Sequence, residues 1–292
     1  MRKVKFEVKQ NEIEIITLAD VHYGNEQFDL TFFTNFMAYC YEHKNVYLIL
    51  NGDLIEGTIK NSPASIFAQS TYSIQEQIAF IVEALKPIAE EHRIISITGG
   101  NHDSDRQMKE VGICPTDMIV SLLSQYDTTL PERYNQDCSG CYDFILVPHR
   151  NKSVKSNLTT FTLFHQHSTG GGTTKQGKVA KSIRVRDMIN AMIVITSHGH
   201  DPDFFPMPYY EVNYKDCDVK EIEGWTVISN AFLKNGGGYA TKSGMRPVSR
   251  NVPIITLKAK RKFYYEGKQQ KEYIDKIISV RWKTVREFEE GV

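Results

Sequence analysis

The feature that most constrains this chain is a coincidence that happens five times: a short apolar run ends in carboxylate, amide or imidazole groups. Ile15-Ile16-Thr17-Leu18-Ala19 delivers Asp20-Val21-His22, and Val46-Tyr47-Leu48-Ile49-Leu50 delivers Asn51-Gly52-Asp53-Leu54-Ile55-Glu56-Gly57. Ile94-Ile95-Ser96-Ile97 delivers Gly99-Gly100-Asn101-His102-Asp103, and Phe161-Thr162-Leu163-Phe164 delivers His165-Gln166-His167. Met192-Ile193-Val194-Ile195-Thr196 delivers Ser197-His198-Gly199-His200-Asp201. Short apolar runs bounded by polar residues read as buried strands. In open α/β sheets ligands collect beyond the carboxyl ends of the strands. Mixed Asp, His and Asn donors there suit a transition metal such as manganese, iron or zinc.

The rest of the chain supports a layered fold. Helical spacing predicts helices over 29–43, 74–91, 115–126 and 178–191. Strands are predicted at 142–147, 159–164, 225–228, 252–257 and 277–282, and Lys3–Lys9 and Glu12–Leu18 read as a hairpin turning at Gln10-Asn11. Strands alternating with helices, then a run of strands, predict an α/β or α+β domain of two packed sheets. The 292 residues show no repeat or linker, so a single domain over 1–292 is expected. Substrate-shaping loops are expected at 104–142, 168–180 and 201–250.

Composition sets limits on partners. With 35 Lys+Arg against 35 Asp+Glu the formal net charge is zero, which excludes a uniformly basic nucleic-acid coat. The average hides segregation. Residues 144–186 and 224–265 contain no acid and eight bases each, a pattern that can build a local positive field for an anionic substrate. Five cysteines favour a reducing compartment over a disulfide framework. No stretch approaches the ~18 apolar residues of a membrane span, and without a visible targeting signal the default location is cytoplasmic. Cys138-Ser139-Gly140-Cys141 lacks the second pair that a structural zinc needs. Gly170-Gly171-Gly172 and Gly236-Gly237-Gly238 read as loops near the site.

In their order along the chain, D-x-H at Asp20, G-D-x-x-E at Asp53, G-N-H-D at Asn101, a strand-end His and H-x-H at His198 resemble the calcineurin-like metallophosphoesterase superfamily. The resemblance runs from Asp20 to His200. It implies a four-layer αββα sandwich of two mixed sheets, with two divalent metal ions at the strand ends, manganese foremost and iron, zinc or nickel as alternatives. Carried over by position, Asp20, His22, Asp53 and His200 would hold the first ion. Asp53 would bridge, and Asn101, His165 and His198 would complete the second. His165 and His167 point to the same side of an extended segment; His165 is expected to be the ligand because it directly follows the apolar run. The resemblance casts His102 as the general acid that protonates the leaving group. Glu56 would orient His102 and raise its pKa. Ser197 stands where the family has a leading Gly.

The implied activity is phosphoester hydrolysis by a hydroxide shared between the metals. The two basic segments and His165-Gln166 lean towards a phosphodiesterase or nuclease acting on DNA, RNA or nucleotides. A small-molecule phosphomonoesterase is the alternative. No membrane partner is expected.

Overall fold

The computed structural model describes residues 1–59, 72–149, 158–168, 174–236 and 246–291. Gly170-Gly171-Gly172, Gly237-Gly238, and the bases Arg150, Lys152, Lys155 and Lys242 lie outside the described residues.

Two six-stranded mixed sheets carry the fold. The first runs β1 (Arg2–Glu7), β6 (Cys141–Pro148), β7 (Leu158–Gln166), β8 (Ile193–Thr196), β12 (Trp225–Ile228), β9 (Asp203–Pro206). The second runs β14 (Gln269–Lys283), β13 (Val252–Glu266), β2 (Glu12–Leu18), β3 (Val46–Asn51), β4 (Ile94–Thr98), β5 (Tyr134–Asn135). A small hairpin, β10 (Tyr209–Asn213) with β11 (Asp218–Ile222), stands apart from both.

The layering follows from the pleat, which sends alternate side chains to opposite faces. On β2 and β3, Ile13, Ile15, Tyr47 and Ile49 meet Ile145, Phe161, Leu163, Ile193 and Ile195 of the first sheet in one buried core. Their neighbours Ile16, Leu18, Leu48 and Leu50 face the other way, onto helices. Those helices are α1 (Leu30–Glu42), α2 (Ile74–Glu90), α4 (Pro115–Leu123) and α6 (Val285–Glu289), which contribute Phe32, Phe36, Ile78, Ile81, Leu85, Ile119, Leu123 and Phe288. On the outer side of the first sheet, Phe164 and Val194 pack on Val185 of α5 (Lys175–Met188). The order is helix, sheet, sheet, helix. Among the described residues no helix is long and apolar enough to cross a membrane.

Helix ends sit where their caps are. Asp29 accepts from the Phe32 N–H to start α1, and Ser73 forms a reciprocal capping box with Glu76 to start α2. The expected hairpin of the first two strands is not formed: β1 pairs in parallel with β6, whereas β2 lies between β3 and β13. Val4 and Phe6 therefore face Ile13 and Ile15 across the inter-sheet core instead of lying beside them. The stretch 104–142 holds α3 (Arg106–Val111), the turn Leu130–Arg133 and α4, which falls within the helix expected at 115–126.

Candidate metal centre

The parallel strands β2, β3, β4, β7 and β8 point their carboxyl ends to one edge of the sandwich. There the chain must turn sharply while keeping short side chains aimed inwards. Among the described residues eight non-glycine positions have φ between 48° and 75°, and five of them are Asp20, His22, Asp53, His198 and His200. A left-handed backbone of this kind costs on the order of 1–3 kcal/mol per residue and persists where a site needs it. The turns are tied to each other. Asp20 N–H donates to the Gly52 carbonyl (3.1 Å), His22 N–H to the Asp53 carbonyl (3.0 Å), and Phe232 N–H to the Asp20 carbonyl (3.0 Å). Asp103 clamps two loops at once: Oδ1 accepts from Gly100 N–H (2.7 Å) and Oδ2 from Leu54 N–H (2.8 Å). Gly52 and Gly100 cross so closely that a Cβ on Gly52 would lie 2.7 Å from the Gly100 Cα.

Three overlapping groups of potential ligand atoms result, the atoms of each lying within 4.8 Å of one another: Asp20, His22 and His200; His22, Asp53 and His102; and Asp53, His167 and His198. Asp53 connects them, with Oδ2 3.2 Å from His167 Nε2 and 3.8 Å from His22 Nε2. Its Oδ1 accepts from His102 N–H (2.7 Å). Asn101 Oδ1 is 3.0 Å from His167 Nε2, and Asp20 Oδ1 is 3.2 Å from His200 Nε2. Asp20 Oδ2 accepts from His198 N–H (2.9 Å).

Several of these atoms are poorly served by the protein itself. Asp20 Oδ1, Asp53 Oδ2 and His198 Nδ1 are buried and have no hydrogen-bond partner. The nearby imidazole nitrogens are close enough to pair with the carboxylates but not aligned to donate to them. His22 Nε2 and His200 Nε2 face each other at 3.2 Å. Leaving a buried polar atom unsatisfied costs about 1–3 kcal/mol, more for a charge. Divalent cations would satisfy them, and this mixture of carboxylate, amide and imidazole donors fits such ions.

The protonation states describe a site poised for positive charge. Burial opposes ionisation of Asp53, but His167, His102 and His22 outweigh it and hold the carboxyl well below the usual range. Asp20 is lowered against burial by His200 and His167. Burial disfavours the charged form of His22, yet the hydrogen bond and charge of Glu56, with Asp53 and Asp20, push it up to about 9. His167 rises to about 10 against burial, through Asp53, Asp20 and the Asn51 carbonyl. Burial wins at His198, which falls to about 4.

The structure brings together Asp20, His22, Asp53, Asn101, His198 and His200 as the sequence implied, and His102 and Glu56 lie against them. Two expectations are corrected. His165 is not in the cluster; His167 lies there, beside Asp53 and His198. β7 continues in ladder pairing through Gln166, opposite Thr196, so His165 is still an interior residue that pairs with Cys141 and Ile195. The apolar run stops before the strand does. A signal was present: after the runs ending at Leu50 and Ile97 the site residues Asp53 and Asn101 come three and four positions later, and the same offset from Phe164 selects His167. His165 instead lies in the core between the sheets with Cys141 and Asp143, where burial holds it down to about 3 and pushes Asp143 up to about 7.

The second correction concerns Glu56. Its carboxylate accepts from His22 Nδ1–H (3.0 Å) and Asn25 Nδ2 (3.1 Å), while His102 Nδ1–H donates to the Glu56 main-chain carbonyl (2.8 Å). The carboxylate stays 3.6 Å from His102 Nδ1. Burial lowers the pKa of His102, the reverse of the shift expected, with Asp53 and Glu56 pulling the other way. Sequence reasoning also missed Asn51 and Asn25, whose amides steady the imidazole-bearing loops but carry no motif.

No protein-family model and no curated protein matches the chain. Among solved structures it is similar to a metallophosphoesterase from Sphaerobacter thermophilus, with 12% identity and a TM-score of 0.35 over 83% of this chain and 82% of that one. It is also similar to a conserved uncharacterized protein from Streptococcus pneumoniae described as a predicted phosphoesterase (10% identity, TM-score 0.33, 90% and 98% covered). A third is a Thermotoga maritima protein known from its solution structure (8% identity, TM-score 0.29, 91% and 99% covered).

Proposed function

We propose that this protein is a metal-dependent phosphoester hydrolase acting on phosphodiesters of nucleic acid or nucleotides. The observation that supports this reading is the meeting of three overlapping Asp/His groups from five strand ends, with buried carboxylate oxygens left unpartnered between them. In this reading Asp20, His22, Asp53 and His200 hold one divalent cation, and Asp53, Asn101, His167 and His198 a second. Manganese is the first candidate, with iron, zinc and nickel next. When bound, such cations polarise phosphoryl oxygens and bring the pKa of a water from 15.7 towards ~7.

The protein's own residues do the orienting and the proton work. Glu56 on His22 Nδ1 and the Asn51 carbonyl on His167 Nδ1 fix both rings with Nε2 towards the cluster. His102 stands edge-on to His22 with ring centroids 4.6 Å apart. Its Nδ1–H is held by the Glu56 carbonyl, which leaves Nε2 to carry a proton to the leaving oxygen. The negative charge of a phosphoester favours the protonated imidazole. Next to His200, Lys175, Lys178 and Arg246 converge on the buried Asp201 at 3.5, 3.7 and 2.7 Å. Lys175 also pairs with Asp203 (2.9 Å), so the group leaves a net positive charge that favours an anionic substrate.

The test is a panel of phosphomonoesters and diesters, nucleic acid included, with Mn²⁺, Ni²⁺, Zn²⁺ and Mg²⁺. Diester cleavage in at least one metal is expected. His102→Asn should slow it about 10²–10⁴-fold for a phenyl leaving group and less for p-nitrophenyl, which leaves without a proton. Preference for monoesters would select the small-molecule phosphatase reading, and no hydrolysis of any ester would refute both.

A further inference from the structure

The residue that the motif pointed to, and that the fold keeps out of the metal cluster, has a place of its own. His165 Nε2 is 2.7 Å from Ser96 Oγ, and Ser96 Oγ is 2.8 Å from Asp143 Oδ2. On its other side His165 Nδ1 is 2.9 Å from Asn51 Oδ1. Asn51 Nδ2 donates to the Gln166 carbonyl (3.2 Å) and to Ser197 Oγ (2.5 Å), which also accepts from Ser229 Oγ (2.9 Å). The chain alternates between sheets: Asp143 and His165 belong to the first, Ser96 and Asn51 to the second. All four are fully buried. Ser96 reaches the inter-sheet face because the β3–β4 register shifts beside it, so that it sits opposite Ile49, itself an inward-facing residue.

Donor counting fixes the roles. The Gln166 carbonyl can only accept, so the Asn51 atom facing it must be the amide nitrogen, and Oδ1 must face His165. His165 Nδ1 therefore carries a hydrogen. The hydroxyl of Ser96 has a single proton for two neighbours. Either Asp143 is protonated and donates to Ser96, which donates to Nε2, or Nε2–H donates to Ser96, which donates to Asp143. Both arrangements aim Nδ1–H at Asn51, so the hold on Asn51 is the same wherever the proton rests.

Asn51 is where this hold meets the cluster. Its main-chain oxygen accepts from His167 Nδ1–H (2.8 Å), and the chain reaches Asp53 two residues later. We infer that the buried Asp143–Ser96–His165 chain is a positioning device, in which His165 locks the Asn51 amide and Asn51 in turn sets His167 and Asp53 for metal. The inference rests on the proposed metal centre for its purpose, but not for its hydrogen-bond order.

Calorimetric titration of the full chain with Mn²⁺ alone tests the purpose. His165→Leu should weaken binding about 10–100-fold, and His165→Asn, whose amide donates from near the Nδ1 position, should recover to within about threefold of wild type. Nitrogen-15 NMR of the imidazoles in metal-free wild-type protein tests the order, and should show His165 with hydrogen on Nδ1. A folded His165→Leu protein with wild-type Mn²⁺ affinity, or an Asn variant no better than Leu, overturns the inference. So does a His165 with bare Nδ1. If wild-type protein binds none of Mn²⁺, Ni²⁺, Zn²⁺ and Mg²⁺ the proposed function falls, whereas the His165 spectrum still decides whether the chain is ordered as described.

Discussion

At the scale of single residues, the centre is a set of charges arranged for a cation. In the metal-free protein His22 and His167 have folded pKa values of about 9 and about 10, against an unfolded value near 6.5. The folded state binds protons that the unfolded state has released, so this contribution to stability is complete below pH ~6.5 and is lost as pH rises through 9 and then 10. Thermal unfolding of metal-free protein is therefore expected to show a falling midpoint between pH 7 and 10. A ligating imidazole must be deprotonated, so binding of metal near pH 7.5 should release about two protons. Calorimetry in buffers of different ionisation enthalpy measures this, and zero release would count against His22 and His167 as ligands. The residue identities were legible because Asp, Asn and His are unusual directly after apolar runs. His165 against His167 was not, because both have the same parity on the strand and only ladder pairing beyond Phe164 separates an interior position from an end. The partner of His102 was hidden for a different reason. A main-chain oxygen leaves no mark on a sequence.

At the scale of elements, the tight crossing of the loops after β3 and β4 is the joint that sets the cluster. A Cβ on Gly100 would press on the Asp53 carboxylate, 2.9 Å from its Cγ. Gly100→Ala should weaken metal binding at least tenfold while the sheets remain folded, as read by titration alongside circular dichroism. At the opposite extreme, β13 and β14 outrun the sheet. Residues Val252–Glu266 and Gln269–Lys283 pair over their whole length, yet β2 pairs only with Ile254–Lys258. Beyond Lys262 both faces meet water, and Phe263, Tyr264, Tyr265 and Tyr273 are exposed. Replacing Lys262–Tyr273 with an Asn-Gly turn between Arg261 and Ile274 should leave the melting temperature within about 2 °C and metal affinity unchanged. The sequence pattern ended these strands near Leu257 and began them near Ile277, because apolar alternation marks burial, and the protruding half has none to mark.

At the scale of the whole molecule, much of the charge segregation seen along the chain dissolves on folding. Lys258, Arg261, Lys262 and Arg250 pair with Glu12, Glu272, Asp275 and Asp29. Arg186 is buried, donating to the carbonyls of Ala191 and Met207. At the site Lys175, Lys178 and Arg246 share only Asp201 and Asp203, so a single net positive charge persists there. The two-sheet architecture was legible because each buried strand alternates its faces between two cores. Which strand lies beside which was not, since β1 and β2 carry the same inward pattern and only long-range pairing assigns them to different sheets. Metal and fold are linked through mass action: free Mn²⁺ at 100 times its dissociation constant should stabilise the folded state by about 2.7 kcal/mol per ion, or roughly 4 °C in melting temperature for a chain this size. Chelator should remove that increment.

The position of β2 between β3 and β13 has a bearing on birth as well as on stability. Ile15 pairs with Tyr47 on one side and with Ile255 on the other, so the strand that bears Asp20 keeps an open edge until the far end of the polypeptide has been synthesised. At about 5–20 residues per second the interval is on the order of tens of seconds. Throughout it a nascent chain offers an unsealed sheet to its neighbours, although the last residue of the cluster, His200, has been made before β13 arrives. Sealing of the edge that carries Asp20 is thus a late event that waits for β13.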